Sequence, residues 1–272
     1  MPTIRAADLD VHYLESGDPS GVPVIFVHGN WATSSWWEPL LARLPEGYRG
    51  LAYDVRGRGR TIGPDTSYAI PALGGDLLAL ADAVGADAFH LVGHSLGTAI
   101  AMQAALDAPG RIRSLAVIAP VWVDGMPAAF DVPARQIAMK NDRDLFATAL
   151  KPLAPAVPDD DYWKRLVAEG HAQRLAAALG NLEALRAWGP GDRLRTLAVP
   201  TLVIAGALDP LTGGANAERA AASLGAPLEV MPGIGHSPNI EAPARSAALL
   251  ATLWRSRDPR PSGPLTGDHL VT

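Results

Sequence analysis

The sequence predicts an α/β fold built on a mostly parallel sheet with helices on both faces. Short apolar runs rich in strand-forming residues recur at Val22–Val27, Tyr48–Tyr53, Ala88–Val92, Leu115–Ala119, Thr201–Ala205 and Leu228–Met231. Longer helical patterns separate them, as expected where parallel strands need crossover helices. The composition agrees: 272 residues, 48% apolar and 19% charged, suit one α/β domain with room for an insertion.

Taken in order, Leu9 to Glu15 alternates apolar and polar residues and reads as an antiparallel edge strand. Ala72–Val84 sets Leu73, Leu77, Leu80 and Val84 on one helical face, and Leu96–Leu106 is small and apolar throughout. Ala215–Leu224 and Arg245–Trp254 are the later helices. From about Val121 to Pro190 no strand pattern appears, only helical pieces punctuated by Pro127, Pro133, Pro152, Pro155 and Pro158. That interval reads as an inserted helical cap, which leaves 1–120 and 191–256 as the core. The stretch 257–272, rich in Pro, Gly and Ser, reads as a disordered tail.

Several classes are disfavoured at once. A formal charge of −5 with no basic block argues against nucleic acid or an anionic membrane as partner. With no cysteine, disulfides, thiolate catalysis and Cys-ligated zinc are excluded. Met1 to Ser16 carries Arg5, Asp8, Asp10 and Glu15 and is not a secretory signal; no run approaches a membrane span. A cytoplasmic protein acting on a small molecule is the expectation, with the oligomeric state unread.

The chemistry starts at Gly93-His94-Ser95-Leu96-Gly97, between a strand and a helix. This Gly-x-Ser-x-Gly turn is so tight that the serine takes a strained conformation with Oγ exposed above the sheet. Side chains at Gly93 or Gly97 would collide with the neighbouring strand and helix. Ser95 is therefore the candidate nucleophile.

A serine needs a base, and seven histidines are available. His12 lies in the first strand, His171 in a helix of the inserted interval and His269 in the tail. His90 is inside the nucleophile strand, and His94 is turned away beside the serine. His28 is placed to tie down the loop that follows Val22–Val27. His236 remains, in the loop Pro232-Gly-Ile-Gly-His236-Ser-Pro238 after the last strand, at the sheet end where open α/β sheets place ligands. Asp209, in Gly206-Ala-Leu-Asp209-Pro210, follows the preceding strand and is the candidate to orient the imidazole. Asp124 competes for that role. The oxyanion donors expected are the N–H of Leu96, at a helix N-terminus, and that of Asn30, after Gly29.

Taken together, His28-Gly29, Asp54-Val-Arg56-Gly57-Arg-Gly59, Gly93-His-Ser95-Leu-Gly97, Asp209 and Gly235-His236 make the chain resemble α/β-hydrolase-fold proteins of the esterase and lactonase type over about residues 9–255. The resemblance implies an eight-stranded sheet, the chain order Ser–Asp–His of a catalytic triad, and a bracing rather than catalytic role for Asp54 and Arg56. Thr98 stands where the family often has glycine. Asn30 replaces a common aromatic or apolar residue and is similar to the asparagine of haloalkane dehalogenases, which however use an aspartate nucleophile followed by Trp. Its side chain is thus available to a substrate oxygen.

Trp31 and Trp122 are candidate pocket walls, and Trp36, Trp37, Trp163 and Trp188 candidate packing. The run Asp159–Asp161 reads as a solvated helix start, with no metal site. The expected function is a cofactor-independent serine esterase or lactonase working through an acyl-enzyme. The rival readings are a carbon–carbon hydrolase, thioesterase or perhydrolase on the same fold, or a small-molecule binding protein that keeps the triad.

Overall fold

The computed structural model describes residues 2–130 and 132–258, so His269 and nearly all of the expected tail lie outside the described residues. Eight strands form one sheet: β1 (Thr3–Ala6), β2 (Leu9–Gly17), β3 (Val22–Val27), β4 (Tyr48–Tyr53), β5 (Phe89–His94), β6 (Ile112–Ile118), β7 (Thr201–Gly206) and β8 (Leu228–Met231). Their order is β1-β2-β4-β3-β5-β6-β7-β8. β2 runs antiparallel to β1 and β4, and every other pairing is parallel.

The strand from Leu9 is therefore not the edge strand it was expected to be. β1 lies outside it, pairing Ile4 with Val11 and Ala6 with Leu9. The sequence hides β1 because it is short and, apart from Ala6, not buried.

Alternation along the inner strands divides the core. Ile25, Val27, Leu51, Leu91, Val117 and Val203 bury into one cluster, whereas Val24, Phe26, Ala52, Val92, Ala116 and Ile204 bury into the other. The first face is covered by α1 (Ile70–Ala83) and α2 (Leu96–Asp107). Residues Leu96 to Ala105 of α2 are all buried, which explains why that stretch is apolar on every side.

Between β6 and β7 the described residues contain no strand. They form α3 (Pro133–Asn141), α4 (Arg143–Leu150), α5 (Asp161–Ala172) and α6 (Leu175–Ala187), with short turns of tighter helix between them. Asp160 caps α5 by accepting from the Trp163 N–H at 2.9 Å, so the acidic run does start a helix. A third apolar cluster joins Phe146, Trp163 and Leu166 of these helices to Trp31, Trp36 and Ile240 of the sheet-end loops. Polar ties add to it: the His236 N–H donates to Leu153 O (2.9 Å) and the Tyr162 hydroxyl to Ser35 O (3.0 Å).

The remaining helices are α7 (Gly213–Leu224) and α8 (Pro243–Arg255). Arg257 and Asp258, assigned by composition to the tail, instead close α8 by donating their N–H groups to Trp254 O. The Asp258 carboxylate then accepts from Arg113 (2.6 Å) and meets His90 Nε2 (2.5 Å). Among the described residues no helix is long and apolar enough to cross a membrane.

Candidate active site

The parallel register brings one end of the sheet into line. Val27 is opposite Gly93, His94 opposite Ile118 and Gly206 opposite Met231. The loops after β3, β5, β7 and β8 consequently leave from the same edge, and they carry Asn30, Ser95, Asp209 and His236.

Ser95 sits between β5 and α2 at φ 52°, ψ −123°, a region that non-glycine residues rarely occupy. The elbow is held by its neighbours. Ser95 N–H donates to Ile118 O at 3.0 Å. A Cβ on Gly93 would come within 2.4 Å of Gly97 O, and one on Gly97 within 2.1 Å of Val27 O, so both positions require glycine. Thr98 adds a tie that glycine could not make: its hydroxyl donates to Ser95 O (2.7 Å) and accepts from the Val121 N–H (3.1 Å). Thr98→Val keeps the shape but strands that buried N–H. It is expected to cost about 1–2 kcal/mol in denaturant unfolding, with Thr98→Ser close to wild type.

His236 and Asp209 meet directly. His236 Nδ1 lies 2.9 Å from Asp209 Oδ2, and both side chains are buried. Asp209 is saturated with donors: its Oδ1 accepts the N–H groups of Leu211 (2.8 Å) and Thr212 (3.1 Å), and its Oδ2 also accepts the Thr212 hydroxyl (2.6 Å). Burial pushes the Asp209 carboxyl up, but the charge and hydrogen bond of His236, with the Thr212 and Leu211 donors, outweigh it. The group is held well below the usual carboxylate range. Asp124, the competing acid, points elsewhere; its side chain is 70% exposed and pairs with Arg219 at 3.7 Å.

Ser95 Oγ and His236 Nε2 are not hydrogen-bonded in this structure, but both residues border one cavity. Trp31 and Trp122 line it as well, as does Trp36, which sequence position had suggested was mere packing. Trp36 stacks on His94 at 6.1 Å between centroids. His94 donates through Nε2 to the carbonyl of His236 (2.9 Å), tying the elbow to the histidine loop. Thr212 was also missed; Asp-Pro-Leu-Thr, an acid with a hydroxyl three residues on, was the available signal.

The loop after β3 is pinned by His28, which donates through Nδ1 to Gly29 O (2.8 Å) and accepts the Val55 N–H on Nε2 (3.0 Å). A Cβ on Gly29 would lie 2.9 Å from that of Ser95, so the loop crosses directly over the elbow. Among the described residues no partner is found for the N–H of Asn30 or of Leu96. Asp54 and Arg56 brace the surroundings. Asp54 accepts from the N–H groups of Ser34 and Arg60, and Arg56 forks onto Asp76 at 2.8 and 2.7 Å.

The model of the alpha/beta hydrolase family matches residues 24–249. The chain belongs to this family. A protein of Variovorax paradoxus named a carbamate hydrolase is 31% identical over 265 residues, covering 92% of this hydrolase and 98% of the relative. Among solved structures, a hydrolase from Pseudomonas aeruginosa superposes with a TM-score of 0.82 at 27% identity, covering 93% of this chain and 97% of that one. An enzyme described as degrading N-acyl homoserine lactones gives 0.76 at 27% identity, covering 92% and 99%. The family and its eight-stranded sheet are thus those expected from the motifs.

Proposed function

We propose that this hydrolase cleaves a carboxylic ester or lactone through an acyl-enzyme on Ser95. The observation that carries the reading is His236, paired with the buried Asp209, on the same cavity as a strained serine and two N–H groups that have no partner among the described residues. Ser95 Oγ attacks the carbonyl carbon while His236 Nε2 takes its proton, and Asp209 holds the imidazole through Nδ1. The negative oxygen of the tetrahedral adduct accepts from the N–H groups of Leu96 and Asn30. As the bond to the leaving oxygen breaks, His236 returns the proton to it. Water then repeats the sequence on the acyl-enzyme, releasing the acid and restoring Ser95. Each proton is accounted for within the dyad, and no cofactor enters. The helices of 121–190 act as a cap that shapes the acyl and leaving-group spaces, with Trp31 and Trp122 as walls.

The relative named for carbamate hydrolysis favours a second reading, in which the scissile carbonyl bears nitrogen. The first steps are the same, and the proton goes to a leaving amine. A fluorophosphonate probe should label the wild-type chain at Ser95 and leave Ser95→Ala unlabelled. Steady-state rates on aryl esters, lactones, carbamates and thioesters then rank the substrates. Ser95→Ala should lower kcat at least about 10³-fold on the preferred one. Turnover that survives in Ser95→Ala would overturn the acyl-enzyme.

A further inference from the structure

Behind the oxyanion loop lies a buried cation that the proposed reaction does not use. Arg58 is 1% exposed, and no acid pairs with it among the described residues. Its Nη1 donates to Arg56 O (3.2 Å) and its Nη2 to the side-chain oxygen of Asn30 (3.1 Å). The same oxygen accepts from the Trp31 N–H (3.1 Å), from Asn181 Nδ2 (3.1 Å) and, at 3.5 Å, from Gln173 Nε2. Burying a guanidinium against neutral partners alone is costly, so the arrangement calls for a reason.

The reason lies in what these partners can and cannot do. An arginine side chain and a backbone N–H only donate. The Asn30 atom facing them must therefore be the oxygen, and its carboxamide cannot be flipped. A planar amide with its oxygen so held sends its NH₂ the other way. Asn30 borders the cavity that holds Ser95 and His236, and its Nδ2 has no partner among the described residues and is not shut away from solvent.

We infer that the Asn30 carboxamide is a third donor to the acceptor oxygens at the reacting carbon of the substrate, with Arg58 of the core and Asn181 of α6 as the residues that position it. The inference rests on the serine hydrolase reading and deepens it. It also gives Arg58 a role: its charge draws electron density toward the Asn30 oxygen, which makes the opposing N–H a stronger donor. Because Asn181 belongs to α6, seating of the helical segment and aim of the donor are one event.

Asn30→Asp is the incisive variant. It keeps an acceptor for every donor behind the loop and supplies Arg58 with a counter-ion, yet it removes the NH₂ from the cavity. The expected result is kcat lowered about 10²-fold or more, with KM changed less than threefold and Tm at or above wild type. Asn30→Ala removes the donor without adding charge and should lower kcat at least about tenfold. Arg58→Met should lower kcat about tenfold with KM unchanged, and Arg58→Lys, which can still donate to the oxygen, should recover it to within threefold. If kcat of either Asn30 variant stays within threefold of wild type, the donor role is overturned. If Arg58→Met and Arg58→Lys have equal kcat, the positioning role is. Fluorophosphonate labelling of Ser95 in the same samples separates these failures from a failure of the serine mechanism, which alone would abolish labelling of the wild-type protein.

Discussion

Asp209→Asn is expected to lower kcat on the preferred substrate by about 10³- to 10⁴-fold while leaving the fold intact. The size of the effect follows from the donors around the carboxylate. Oδ1 accepts two backbone N–H groups, from Leu211 and Thr212, which can only donate. An asparagine here must leave its oxygen on them and turn its NH₂ toward His236 Nδ1. That nitrogen then has to accept, so the imidazole proton moves to Nε2, the nitrogen that in the proposed mechanism must be bare to take the proton of Ser95. The variant thus carries a base in the wrong tautomer. Thr212→Val should have a smaller effect, about three- to tenfold, because it removes one hydrogen bond to the carboxylate and keeps its charge. Asp124→Asn should be indistinguishable from wild type, since Asp124 is exposed and pairs with Arg219. Steady-state kinetics on the three variants settle the assignment. A collapse of Asp124→Asn with Asp209→Asn active would reverse it.

The residues that were legible in the sequence are those whose constraints are local. β3 and β4 match the apolar runs residue for residue, because most of their residues are buried on both faces of the sheet and leave little polar sequence to blur the ends. The elbow was legible for steric reasons, since Gly93 and Gly97 have backbone where any Cβ would go. Chain order and strand ends then pointed to His236 and Asp209, which the fold brings to 2.9 Å. What stayed hidden depends on contacts distant in sequence. Asn181 reaches Asn30 across 151 positions, and nothing in Leu175–Ala187 separates that asparagine from one that faces water. Trp36 looks like any core tryptophan until the fold stacks it on His94. β1 escaped for the opposite reason, being too short and polar to stand out as a strand.

Stability is expected to fall steeply as pH drops below about 6.5, by roughly 2–3 kcal/mol per pH unit from His28 and His94 together. Both are buried as neutral rings, and the geometry shows why they must be. His28 uses Nε2 to accept the Val55 N–H while Nδ1 donates to Gly29 O, so a second ring proton would face another donor. Burial, with Arg58 nearby, pushes it down to about 4. His94 spends its only proton on the carbonyl of His236, and its buried Nδ1 has no partner among the described residues. Burial and then the neighbouring His236 push it down to about 3. In the unfolded chain each ring titrates near 6.5, so between that pH and the folded values the unfolded state binds protons the native state refuses. The stabilisation is complete above about 6.5 and is lost progressively as pH falls toward 4, at about 1.4 kcal/mol per unit for each group. His12 and His90, also pushed down by burial, act in the same direction. The check is urea unfolding at half-unit steps from pH 7.5 to 5. His94→Gln retains a side-chain N–H for the His236 carbonyl but cannot titrate, and should flatten the slope by nearly half of this amount. An unchanged slope in His94→Gln would mean that His94 is already protonated in the native state, and that the tie between elbow and histidine loop survives with a charged ring.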